Sequence, residues 1–126
     1  MCDEIGKIME TEIAISATAV RVPIFYGHCQ SINIVTQHHI APAMAHRLLQ
    51  DASGCLLVDE PAGAEYPMPV DAAGQDLVLV GRVREDFSVE NGLNLWVVAD
   101  NLRKGAATNA VQIAEVLIER YLAGGS

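Results

Sequence analysis

Arg21 and His28 stand at the two ends of RVPIFYGH (21–28), separated by an apolar stretch, VPIFY. A guanidinium offers a planar fork suited to a carboxylate or phosphate. An imidazole can carry a proton near neutral pH, and the apolar residues between them could give a site dry walls. In a fully extended chain the two would lie roughly 23 Å apart, too far for one small substrate to touch both. Pro23 and Gly27 are the natural places for a bend that would close the gap. The residues alone favour a plainer reading, an edge strand with an exposed arginine and a histidine satisfied by its neighbours.

The remaining candidates are weaker. His28 and Cys29 suggest a nucleophile and its base, but adjacent strand residues point to opposite faces, so the thiol cannot readily reach the imidazole that would activate it. His38, His39 and His46 contain no i, i+4 helical pair of the kind that grips a metal. A polar strand end leading into a helix accounts for them, and no metal ligand is assigned. In DNLRKGAATNAVQIAE (100–115), Arg103 and Lys104 precede Gly105 and a run of small residues. Small residues there would let another backbone, or a flat cofactor, come close. Asn109 could hydrogen-bond an amide, although a close-packed helix is the simpler account. Neither GxGxxG nor GxxxxGK[ST] occurs, so no phosphate-cradling loop is encoded here.

These residues need a frame, and the chain has the means to build one. Its 126 residues suit a single domain, and 51% are apolar. The net charge of −8 argues against a nucleic-acid or anionic-membrane partner. No apolar run approaches the about 18 residues of a membrane span, and the acidic start, MCDEIGKIMETE, does not read as a secretory signal. Three scattered cysteines without a CxxC point to reduced thiols and a cytoplasmic setting.

Residues 3–9 read as the last turns of a helix. Ile13, Ile15, Ala17 and Ala19 alternate as in a strand, and a second strand covers about 30–37. Pro42 opens a helix with Met44, Leu48 and Leu49 as its buried stripe, and Gly54 stops it. Residues 55–58 form a short strand, and 59–76 a long loop of the kind that covers something. Strands over 77–86 and 93–100 follow, joined at an Asn-Gly turn. A helix over 105–122 carries Ala107, Ala110, Val111, Ala114, Leu117, Ile118 and Tyr121 as its stripe, with Gly124–Gly125–Ser126 as its stop. The order β-β-α-β-β-β-α predicts an α+β fold, a mixed and largely antiparallel sheet with helices on one face.

RVPIFYGH, EYPMPVDAAGQD followed by VGRVRED, and NGLNLWVVADNLRKGAATNAVQIAE resemble, in order, the C-terminal part of bacterial aspartate-β-semialdehyde dehydrogenase. The resemblance runs over nearly the whole chain. It implies NADPH-dependent conversion of aspartyl phosphate to aspartate semialdehyde, on the path to lysine, threonine and methionine. A cysteine forms a thioester, a histidine is acid and base, and an arginine holds the substrate carboxylate. By position in the motifs, Arg21 matches the substrate-binding arginine, His28 the acid/base histidine, and Asn109 a contact near the nicotinamide.

The departures are as informative. The family's Rossmann domain and the segment with its nucleophilic cysteine have no counterpart in these residues. Cys2, Cys29 and Cys55 all lack an Asn-Pro-x-Cys setting, and Cys29 stands where serine is common. Residues 1–126 are therefore expected to be a C-terminal catalytic and dimerisation portion that is inactive alone and does not bind NADP tightly. The 105–122 helix would pack on the missing cofactor domain and leave its stripe partly exposed in a lone chain. Expected partners are a second copy, the missing N-terminal half or a full-length relative. The alternative is a non-catalytic dimerisation module derived from the same family.

Overall fold

A computed structural model describes residues 2–122, and the Gly-Gly-Ser stop lies outside the described residues. The elements are α1 (Cys2–Met9), β1 (His28–Val35), α2 (Pro42–Gln50), β2 (Cys55–Leu57), α3 (Pro69–Ala72), β3 (Val78–Asp86), β4 (Gly92–Ala99) and α4 (Thr108–Leu117). One-turn π-helical segments flank α4 at Arg103–Ala107 and Ile118–Leu122.

Four strands form one sheet in the order β1-β4-β3-β2. β4 pairs antiparallel with β1 and β3, and the short β2 runs parallel to β3. The sheet is thus mixed and largely antiparallel, as its sequence order implies. The strand expected over Ile13–Ala19 does not form. Alternation gives a chain a side to bury, but a strand also needs a neighbour to bond, and residues 12–22 join no ladder.

Two apolar clusters hold the sheet, one on each face. Ala45 of α2 packs with Val80, Val83 and Leu93, supported by Leu49, Leu57, Leu95 and Val97. Of the expected α2 stripe, Leu49 packs on the core, whereas Met44 and Leu48 are exposed and Ala45 takes the inward position. On the other face Ala72 of α3 packs with Leu79 and Val98, joined by Cys29, Val58, Leu77 and Trp96. The long 59–76 loop therefore does cover something. It folds a 3-10 turn at Pro61–Gly63, then α3, and seats buried Pro67 on the sheet, where its carbonyl accepts from the Trp96 indole N–H at 2.9 Å. Helical cover thus lies on both faces, α2 on one and this small turn on the other, because the loop supplies an element too short to leave a periodic signal.

β3 is bulged. Its register to β4 shifts between Gly81 and Arg84, and Arg82 sits at φ +55°. Val80 and Val83 are three residues apart yet share one cluster; the extra residue brings them to the same face. The bulge frees the Val83 N–H, which donates to Asp59 Oδ2 at 2.9 Å. His46 Nε2 lies 2.8 Å from that same oxygen, and the Asp59 side chain is only 2% exposed. His46, grouped in the sequence with a polar strand end, is thus part of the device that satisfies the bulge.

Candidate active site

His28 opens β1 opposite Ala99, the last residue of β4, so it lies at the sheet end from which the chain leaves through Asp100. The two bends needed between Arg21 and His28 are both present. Around Pro23 the Ile24 N–H donates to the Val22 carbonyl at 2.9 Å, a three-residue turn. Gly27 takes φ +76°, and a Cβ there would lie 3.1 Å from the Ala99 carbonyl oxygen. Only glycine fits that approach comfortably. VPIFY is therefore not an extended spacer, and Phe25 and Tyr26 stand exposed within it, not as walls of an enclosed pocket.

Arg21, His28 and Asn109 are all exposed, and among the described residues none of the three side chains forms a hydrogen bond or ion pair. Their polar groups are free for a ligand. Arg21 lies in the irregular segment before β1, His28 at its first residue, and Asn109 in the first turn of α4.

Cys29 points to the other face of β1 from His28, into the cluster with Val98 and Leu79. Burial pushes its thiol pKa up, so it is a packing residue and not a thiolate poised for attack. That geometry excludes the His28–Cys29 pair as a catalytic unit in this chain.

The sequence gives little warning of the polar network between the sheet end and α4. Buried Asp100 accepts from the Gly74 N–H at 2.8 Å and, through its other oxygen, from the Leu102 N–H at 2.9 Å and the Arg103 N–H at 3.4 Å. The Gly74 bond foremost holds its carboxyl below the ordinary carboxylate range. Asp76 receives Arg103 as a two-point fork, Nε at 2.7 Å and Nη2 at 2.9 Å, and the Thr108 hydroxyl at 2.9 Å. The Arg103 bond, then that of Thr108, lowers its pKa in turn. Lys104 Nζ donates to the Gln112 side chain. Asx turns such as Asp100–Leu102 follow a residue-type signal, but partners 24 or more residues apart leave none.

Ionised, these depressed carboxyls stabilise the fold, buried Asp100 far more than the half-exposed Asp76. That contribution is complete above the unfolded value of about 4 and is lost as pH falls through the lower folded values. The thermal midpoint should therefore hold steady from neutrality to about pH 5 and decline below it. Asp100→Asn should start lower at pH 7 and decline less steeply, as calorimetry across pH would show; parallel acid limbs for the two proteins would refute the assignment.

α4 has no buried residue, and Val111, Ile113, Leu117 and Ile118 are each about half exposed or more. The helix expected over 105–122 is present but broken at Ala106, whose φ of −144° and ψ of −107° are non-helical. Its stripe is exposed. Among the described residues no helix is long and apolar enough to cross a membrane.

Comparison with known proteins gives this geometry its context. The chain is 54% identical over 123 residues to the aspartate-semialdehyde dehydrogenase of Aquifex aeolicus, covering 97% of the chain and 36% of that protein. It is 46% identical over 127 residues to aspartate-semialdehyde dehydrogenase 2 of Vibrio cholerae, with 94% and 37% covered. A crystal structure of aspartate semialdehyde dehydrogenase II from Vibrio cholerae, complexed with ASA, superposes with a TM-score of 0.87 at 48% identity, covering 96% of this chain and 36% of that one. The chain thus spans about a third of the length of the relatives it matches and corresponds to a C-terminal part of them. The family model for the semialdehyde dehydrogenase dimerisation domain matches residues 1–104, and the chain belongs to that family.

Proposed function

We propose that this chain is the C-terminal portion of a cytoplasmic, NADPH-dependent aspartate-semialdehyde dehydrogenase, acting on aspartyl phosphate, and that it supplies part of the active site without turning over alone. The observation that carries this reading is the set of three polar side chains, Arg21, His28 and Asn109, unpartnered among the described residues, in a chain that aligns over 97% of its length with the Aquifex aeolicus enzyme. Its free thiols, Cys29 and Cys55, suit a reducing compartment.

Arg21 binds the substrate carboxylate, and its fork fixes the orientation as well as the charge. His28, without a protein partner among the described residues, accepts the proton of the attacking thiol through a ring nitrogen and returns a proton in the reverse sense. The thiol is not that of Cys29, which is turned into the sheet; it belongs to the family's nucleophile segment, which has no counterpart in these residues. NADPH supplies hydride when bound. The free carboxamide of Asn109 fits one contact to the nicotinamide amide, while the phosphates find no glycine-rich cradle here. These residues alone would therefore hold the cofactor only weakly.

Supplying the remaining two-thirds of a relative should restore NADPH-dependent turnover; a preparation that never turns over, with the chain folded and associated, would refute the reading. In the restored enzyme Arg21→Lys should raise KM for the amino-acid substrate about 10-fold or more, because an ammonium keeps the charge but loses the fork. Steady-state kinetics showing an unchanged KM would remove Arg21 from the site.

Homodimerisation is the second part of the proposal. It is supported by the family's name, by the free outer edge of β1, and by the exposed apolar residues of α4.

A further inference from the structure

Arg103 and Lys104 stand out in the sequence, yet the proposed reaction gives neither a task. Their surroundings do. α4 is joined to the sheet by the 100–107 segment, and Ala106 breaks the helical path within it. With no buried residue in α4, apolar packing within this chain does not fix its direction. Arg103 lies before the break and Thr108 after it, and both bond to Asp76, two residues ahead of β3. Leu79 of β3 pairs with Val98, next to the Ala99 that pairs with His28. Asp76, Asp100 and His28 therefore belong to the same end of the sheet.

We propose that Asp76 is a positioning residue of α4: one carboxylate grips Arg103 and Thr108 on opposite sides of the Ala106 break, which the Lys104–Gln112 bond also spans, and so fixes Asn109, the next residue, relative to the sheet end that carries His28. The role of Asn109 toward the cofactor rests on the function proposed above; the grip does not. Asp76 and Arg103 are each 46% exposed, and exposed pairs of this kind add little to global stability. A two-point fork sharing its acceptor with a hydroxyl nonetheless fixes direction. The structure therefore assigns Asp76 an effect on geometry far larger than its effect on unfolding.

Residual dipolar couplings of the isotopically labelled 126-residue chain test the grip directly. In the wild type, amides of α4 and of β3 and β4 should fit one alignment tensor. In Asp76→Ala the sheet couplings should persist while those of α4 fall to about half or less, as expected of a helix that swings on a hinge. Arg103→Gln, which removes the fork at an exposed site, should act in the same direction and serves if Asp76→Ala does not fold. In a complete dehydrogenase carrying this segment, Asp76→Ala should raise KM for NADPH about tenfold with little change in kcat. Couplings in Asp76→Ala that still fit the single tensor would overturn the proposal. Lost α4 alignment with an unchanged KM for NADPH would keep the grip and instead overturn the cofactor role of Asn109.

Discussion

His28→Ala should lower kcat/KM of the restored dehydrogenase by about 10²–10⁴-fold, the usual contribution of a positioned acid/base group. The expectation follows from where the residue stands. It is exposed at the first position of β1, immediately after a glycine that turns the chain, and no protein group among the described residues competes for its ring nitrogens. For the same reason the substitution should leave folding intact, since an exposed strand-end side chain with no bond to lose costs little. Circular dichroism and thermal melts should therefore superpose on the wild type while turnover collapses. Full activity in His28→Ala would show that the proton moves through another group. His28→Asn, which keeps a hydrogen-bonding side chain but cannot carry the proton, separates proton carriage from binding and should be as inactive as the alanine variant.

The second large effect concerns the fold. Gly81→Ala should destabilise the chain by about 3 kcal/mol or more, beyond the usual cost of overpacking because the obstacle is main chain. A Cβ on Gly81 would lie 2.2 Å from the Val58 carbonyl oxygen and 2.6 Å from Pro67 Cδ. Neither is a flexible tip that can move aside. Val58 is held to the sheet by its N–H bond to the Val80 carbonyl at 2.8 Å, and Pro67 is held through its own carbonyl by Trp96. Relief would require lifting either the end of β2 or the whole 59–76 cover. Gly63→Ala is the matched control: the nearest atom, Glu60 Cγ, is 3.4 Å away, so its melting point should barely move. Equal melting points for the two variants would show that the sheet can yield at Gly81.

The sequence carries some of this plainly. The strands at 30–37, 55–58, 77–86 and 93–100 announce themselves through β-branched and alternating residues, and each appears within a few positions of its expected place. The bends at Pro23 and Gly27 were legible because those residue types restrict or release the backbone locally. The strand over 13–19 illustrates the opposite case. Its pattern is genuine, but pairing is a property of two segments, and the described residues offer it no second one. Only Leu49 of the expected α2 stripe packs inward, because Ala45, small and weakly hydrophobic by type, is the residue that allows close approach to Val80 and Val83, whereas the larger Met44 and Leu48 remain outside.

The candidate site divides the same way. Arg21, His28 and Asn109 could be picked out because functional side chains are conspicuous by type and motif. What frames them could not be read. Asp59, Asp76 and Asp100 look like three ordinary acidic residues among the 16 in the chain. Their roles depend on N–H groups and side chains that the fold brings to them from distant positions: Val83, Arg103 and Thr108, and Gly74.

The bulge in β3 has a consequence for how this segment can change over generations. A regular strand has a single parity: residues an even number apart share a face, and those an odd number apart do not. β3 switches parity at Arg82, so its first half faces α2 through Val78 and Val80 and its second through Val83. Loss of the Arg82 codon would leave Val80 and Val83 two residues apart and still on one face, with Gly81 and Arg84 opposite Trp96 and Asn94 in regular register. Loss of a codon elsewhere in the strand would instead turn over the residues beyond it. A deletion scan of β3 should accordingly be tolerated better at Arg82 than on either side of it, and lineages of this segment should lose strand length at the bulge before they lose it anywhere else.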